Sequence, residues 1–165
     1  TAGKRGQADP SHLAGAIRWM SALNRTAGGI AVDVGAHAAT DITGFGLLGH
    51  AWGMAESSGV GLRIWLHDVP LMDGAREYAE RGIWPGGSAC NRDYYGPHVR
   101  FASEFSEAER MLLFDAQTSG GLLVAVPPER ADVMLLRLSA AGEAGWLVGE
   151  VIEQSGIQVV AGEEV

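Results

Sequence analysis

Lysine and cysteine are nearly missing from this chain, with Lys4 and Cys90 the only examples of each. A single cysteine leaves nothing for an internal disulfide and fits a reducing compartment. Cations of any kind are sparse, 12 Lys and Arg against 20 Asp and Glu, for a net charge of −8. No Lys/Arg run with interleaved aromatics occurs, which argues against nucleic acid and anionic membrane as partners. Phosphate ligands stay open, because an acidic protein can hold them through divalent cations. No apolar run approaches the roughly 18 residues of a membrane span, and no signal-like leader is visible. These absences lead to the expectation of a cytoplasmic chain. An initiator methionine is also missing, and a helical pattern starts within ten residues of Thr1. The chain therefore reads as a piece of a longer protein that holds part of the chemistry.

Several catalytic signatures are absent as well. His12, His37, His50, His67 and His98 show no HxxxH or HxH spacing, so a clustered histidine metal site is unsupported. There is no GxSxG elbow, no P-loop and no GxGxxG. Cys90 has no base beside it in sequence and reads as a small apolar filler.

What the chain does have is glycine, 24 in 165 residues, about twice the usual share. A length of 165 residues with 47% hydrophobic content fits one domain, residues 1–165, with a sizeable core. Asp9-Pro10-Ser11 opens a helix carrying Leu13, Ile17, Met20 and Leu23 at helical spacing. A short helical stretch follows over 26–35. A third helix comes after Phe45, with Leu47, Leu48, Trp52 and Ala55 on one side, ending at Ser57-Ser58-Gly59. "VGLRIWLHDVP" alternates Leu62, Ile64 and Leu66 against Arg63, Trp65 and His67, a strand buried mainly on one face. Pro70 opens a helix ending near Arg81-Gly82. Residues 83–106 show no sustained period and read as a long loop with one short strand over 99–102. Residues 107–114 are helical, "LLVAV" reads as a fully buried strand, and Pro127-Pro128 starts a helix through Leu138. "WLVGEVIE" and "GIQVV" read as a terminal hairpin. The expected class is α+β, a mixed β-sheet with helices packed against it.

The segment "TDITGFGLLGH", Thr40–His50, enters a helix with residues poor at forming one. Thr43 can be a helix N-cap with the glycines serving close packing. Alternatively, the glycines bare backbone N–H groups for an anion at the helix N-terminus, with Asp41 ligating a bridging divalent metal. "PGGSACN", Pro85–Asn91, is either a surface turn or a second ligand-contacting loop. "DAQTSGG", Asp115–Gly121, reads as a turn stabilised by Asp and Ser/Thr side-chain bonds to backbone.

In order along the chain, "KRG", "LNR", "HAATDITGFGLLGH", "PGGSACN" and "DAQTSGGLLVAV" resemble the C-terminal half of the selenophosphate synthetase (selenide, water dikinase) family. This family lies within the aminoimidazole ribonucleotide synthetase superfamily, whose other members differ after the Asp. The resemblance implies that superfamily's C-terminal-domain fold. It also implies formation of selenophosphate, AMP and phosphate from selenide, ATP and water, with Mg²⁺ at the ATP phosphates. Asp41 matches the one metal-binding carboxylate of this half. Thr43, Gly44 and Gly46 match the adjoining ATP-cleft loop, and Asn91 is a further cleft candidate. The implied partners are the missing N-terminal domain, ATP and selenide, with a homodimer for the full-length enzyme. The family's reactive Cys or selenocysteine and its Lys belong to the missing half, so no catalytic residue is assigned here and Lys4 is not promoted. Ala116 stands where the family has Pro, and Ser88 where Thr is common.

Two other classes fit the same residues: a non-catalytic interaction or folding module, and a sister ATP-dependent kinase or ligase. Retention of Asp41 weighs against the first. The purified 165-residue chain is expected to release no AMP from ATP and selenide. Chromatographic detection of selenide-dependent AMP would overturn that expectation.

Overall fold

In the computed structural model, which describes residues 1–102 and 105–162, the chain is α+β with helices on a mixed sheet. Helix α1 spans Pro10–Ser21 and is started by Asp9, whose side chain accepts from the Ser11 N–H, with Pro10 at the first position. Helices α2, Arg25–Asp33, and α3, Gly46–Ser58, flank strand β1, Ala38–Asp41. Then come β2, Gly61–Trp65, α4, Ala75–Glu80, α5, Gly86–Tyr95, and β3, Val99–Phe101. The chain continues with α6, Glu107–Leu113, β4, Leu122–Ala125, α7, Ala131–Ala140, β5, Gly149–Ile152, and β6, Gly156–Val160.

Two sheets result. The larger has the order β3-β6-β2-β5, with β3, β6 and β2 parallel and β5 antiparallel to β2. The smaller is the antiparallel ribbon β1-β4, pairing Ala38 with Ala125 through Asp41 with Leu122. Leu48, Ala51 and Ala55 of α3, together with Leu113 and Phe114, cover Leu62, Ile64, Ile157 and Val159 of the large sheet. A second cluster joins Ile30, Ala31 and Val34 to Met134 and Leu138. Strand β4 serves both, Leu123 packing on the first cluster and Val124 on the second, as the period of two requires.

Several expectations need correcting. The long loop contains a ten-residue helix, α5, whose two buried residues, Ser88 and Asn91, are polar, so no apolar stripe marks it. Its short strand is present as β3. Strands β5 and β6 do not pair as a hairpin, because β2 lies between them. The connection crosses the end of β2, where a Cβ on Gly61 would collide with the carbonyl oxygen of Gln154. Trp65 is 5% exposed rather than on an open face, although Arg63 on the same side of β2 stays partly exposed. Strand β4 is half-buried along its length, not fully buried. Helix α4 begins at Ala75, five residues beyond Pro70. The stripe on α1 forms as a helix face with Leu13, Ile17 and Met20 but stays open, and the helix ends at Ser21, short of Leu23, which is also exposed.

Helix α6 starts with a reciprocal capping box between Ser106 and Glu109. The Ser106 N–H, then Arg76, then the Ser106 hydroxyl hold the Glu109 carboxyl down from 4.5 to about 2. A lowered carboxyl contributes stability above its unfolded value and loses it as pH falls toward the folded value. The stability gap between wild type and Glu109→Gln is therefore expected to be widest above pH 4.5 and to close toward about pH 2. Thermal melts across that range read it.

Candidate functional site

The two glycine-rich segments form one structure. Beyond β1, the Ile42 N–H bonds the Gly121 carbonyl at 2.9 Å and the Gly120 N–H bonds the Ile42 carbonyl at 2.8 Å. The Thr43 carbonyl accepts from both the Gly46 N–H, 3.0 Å, and the Gln117 N–H, 3.1 Å. Gly46 has φ +70°, and a Cβ there would stand 2.8–2.9 Å from the backbone of Phe114 and Asp115. Glycine is required at Gly46 on both counts. Gly44 has open space around it.

Asn91 supports this turn from behind. It is 6% exposed, and its amide donates to the Gly44 carbonyl at 2.9 Å and the Phe114 carbonyl at 3.1 Å. Ser88, one turn earlier on α5, donates to Asp115 and accepts from the Ala116 N–H, both at 3.1 Å. Burial pushes the Asp115 carboxyl up, opposed by the Ser88 hydroxyl, the N-terminal charge and the Gln117 amide. The expected Asp and Ser/Thr bonds to backbone are not among those formed by the described residues; the "DAQ" turn is instead held by the Gln117–Asp115 side-chain bond and by Ser88 of α5.

Asp41 ends β1 with its carboxylate exposed, and among the described residues it makes no side-chain hydrogen bond or ion pair. Thr43 does not cap α3. Phe45 holds the N-cap place with no side-chain bond, and the Thr43 hydroxyl meets His50 Nε2 at 3.1 Å. A depression of about 590 Å³ lies alongside, lined in part by Thr40, Phe45, His50, Tyr94 and Tyr95. Asp41, Thr43, Gly44 and Gly46 therefore share one turn, with Asp41 and Gly44 exposed, Thr43 half-buried and Gly46 buried, while Asn91 stands beneath it. His50, Ser88 and Asp115 are parts of the same assembly that sequence reasoning missed; the Ser88–Asp115 contact is made across the fold, while His50 reaches back seven residues to Thr43.

The donor set is small. Among the described residues, no group of three or more His, Cys, Asp or Glu could hold a metal ion. Asp41 can give a divalent cation one ligand, and the turn beside it can face an anion with backbone N–H groups.

Residues 16–162 match the family model described as AIR synthase related protein, C-terminal domain. Selenide, water dikinase of Pelobacter propionicus is 48% identical over 155 residues, 93% of this chain and 44% of its own length. That of Carboxydothermus hydrogenoformans is 40% identical over 157 residues, 95% of this chain and 46% of its own. The chain spans a little under half the length of these curated relatives. The crystal structure of tt0281 from Thermus thermophilus superposes with a TM-score of 0.52 at 20% identity, covering 82% of this chain and 35% of that one. That likeness is one of fold.

Removing Asn91 leaves two carbonyls unbonded behind the turn. Asn91→Ala is expected to cost about 1–3 kcal/mol, read as a lower urea midpoint at unchanged slope. Arg92→Ala, which breaks only exposed ion pairs, is expected to stay within about 1 kcal/mol of wild type.

Proposed function

The chain belongs to the AIR synthase related protein, C-terminal domain family, and we propose that it is the C-terminal half of a selenophosphate synthetase. The whole enzyme forms selenophosphate, AMP and phosphate from selenide, ATP and water. The observation carrying this reading is the exposed Asp41 carboxylate, without a partner among the described residues, next to the uncapped start of α3. Kinship with the selenide, water dikinases adds the substrates.

The residues present fit a shared Mg²⁺ site and not a self-sufficient one. Mg²⁺ takes a few carboxylates together with phosphate oxygens, so one Asp from this half suffices when the N-terminal domain gives the rest. Mg²⁺, when bound, supplies charge neutralisation at the phosphates. Asp41 would hold it, while the Thr43, Gly44 and Phe45 N–H groups and the Thr43 hydroxyl would face the phosphates, the Gly46 N–H being bonded to the Thr43 carbonyl. Gly44 keeps the outer side of the turn free of side chain, and Gly46 lets it sit tightly on Phe114 and Asp115. Asn91 and Ser88 fix its height by holding backbone from below. Phosphoryl transfer needs mostly such positioning and charge balance. The open stripe of α1 is the surface we assign to the N-terminal domain, because Leu13, Ile17 and Met20 stand exposed on it, with Leu23 exposed just beyond its end.

In the full-length protein, Asp41→Asn is expected to lower Mg²⁺-dependent AMP formation on the order of a hundredfold or more. Its melting temperature is expected to stay near wild type, since the side chain is exposed and unpaired. Turnover close to wild type would remove Asp41 from the site.

A further inference from the structure

A hydroxyl just ahead of a helix ordinarily accepts a bond from an N–H of the first turn. The Thr43 hydroxyl instead meets His50 Nε2, 3.1 Å away on α3. The imidazole is braced, its centroid 5.3 Å from the Phe45 ring, which lies 5.8 Å from Tyr95. Gly49 makes this stack possible, because a Cβ there would come within 2.7 Å of both Phe45 and Tyr95. His50 Nδ1 has no hydrogen-bond partner among the described residues. One ring nitrogen is engaged and the other is not.

We propose that His50 is a positioning residue for Thr43, donating its Nε2–H to Oγ1 so that the hydroxyl hydrogen faces outward to an anion beside Asp41. The proposal rests on the reading of this turn as a phosphate site. A neutral imidazole carries one N–H, and a hydroxyl offers one hydrogen and two lone pairs. With Nδ1 unengaged, the ring adopts the Nε2–H form that histidine favours in water. Thr43 then accepts from His50 and keeps its own hydrogen for a ligand. In the opposite tautomer the hydroxyl hydrogen would go to His50 and a lone pair would face the site. Ionised phosphate oxygens are acceptors, so only the first arrangement attracts them.

Nitrogen-15 correlation spectra of the histidine rings in the 165-residue chain, with the ring neutral, are expected to show His50 protonated at Nε2. Protonation at Nδ1 overturns the proposal. In the full-length protein, His50→Ala and Thr43→Val are each expected to raise the KM for MgATP about tenfold, with kcat changed less. The double variant is expected to match either single one, since His50 acts through Thr43. His50→Gln, whose amide can still donate, is expected to recover most of the loss. Losses that multiply in the double variant, or a lower melting temperature with unchanged KM, overturn it. Full-length wild type that forms no AMP with selenide refutes the functional reading instead, and the ring tautomer then decides on His50 alone.

Discussion

The close approach of the Gly46 backbone to Phe114 and Asp115 is the contact on which the rest of the candidate site depends. A side chain at Gly46 would push α3 away from the end of α6 and separate the two glycine-rich segments. With that contact made, the Thr43 carbonyl reaches both the Gly46 and Gln117 N–H groups, and Ile42 extends the β1-β4 ladder to Gly120 and Gly121. Asn91 then bridges the junction, one amide hydrogen to each side. Each bond is modest by itself, but buried carbonyls left unbonded are costly, so the assembly has one arrangement. The turn is held by backbone packing and by bonds from α5, which is why it can do without a side-chain cap on α3.

Rigidity behind the turn also comes from the ribbon that leads into it. A two-stranded ribbon alone is marginal in water. Here β4 sends Leu123 into the cluster beneath the large sheet and Val124 into the cluster between α2 and α7. The ribbon is therefore clamped from both faces. Asp41 at its end is exposed without being loosely placed, which is what a ligand supplied to another part of a protein requires.

Much of this architecture was legible from the sequence, for identifiable physical reasons. Asp9-Pro10 and the Ser106–Glu109 pair are short-range capping chemistry, so α1 and α6 could be located from neighbours alone. Leu48 and Ala55 recur at helical spacing because α3 buries one face. Helix α5 was hidden because its inner face holds Ser88 and Asn91, and a search for apolar period finds nothing there. Alternation along β2 misled at Trp65, which is buried although Arg63 on the same face stays partly exposed in its ion pair with Glu150. Sequence adjacency of β5 and β6 suggested a hairpin, whereas the bare Cα of Gly61 lets their connection cross β2. Asp41, Thr43, Gly44 and Gly46 stood out as a compact motif with a recognisable family pattern. The Ser88–Asp115 and His50–Thr43 contacts were not legible, since no spacing rule pairs those residues before the chain has folded.

Taking Asp41 as a metal ligand, its isolation has a physical use. Carboxylates gathered at one place repel, and the crowding raises their proton affinity until a cation arrives. A chain with net charge −8 is poorly placed to carry such a cluster alone. One exposed carboxylate has no such neighbour to repel it, and the described residues hold no ligand group of three that would capture a cation independently. Dividing the ligands between two halves defers the repulsion until phosphates and cation can offset it. On that reading, cation affinity would require both halves and the nucleotide together, because one carboxylate gives a divalent cation only part of its ligand set.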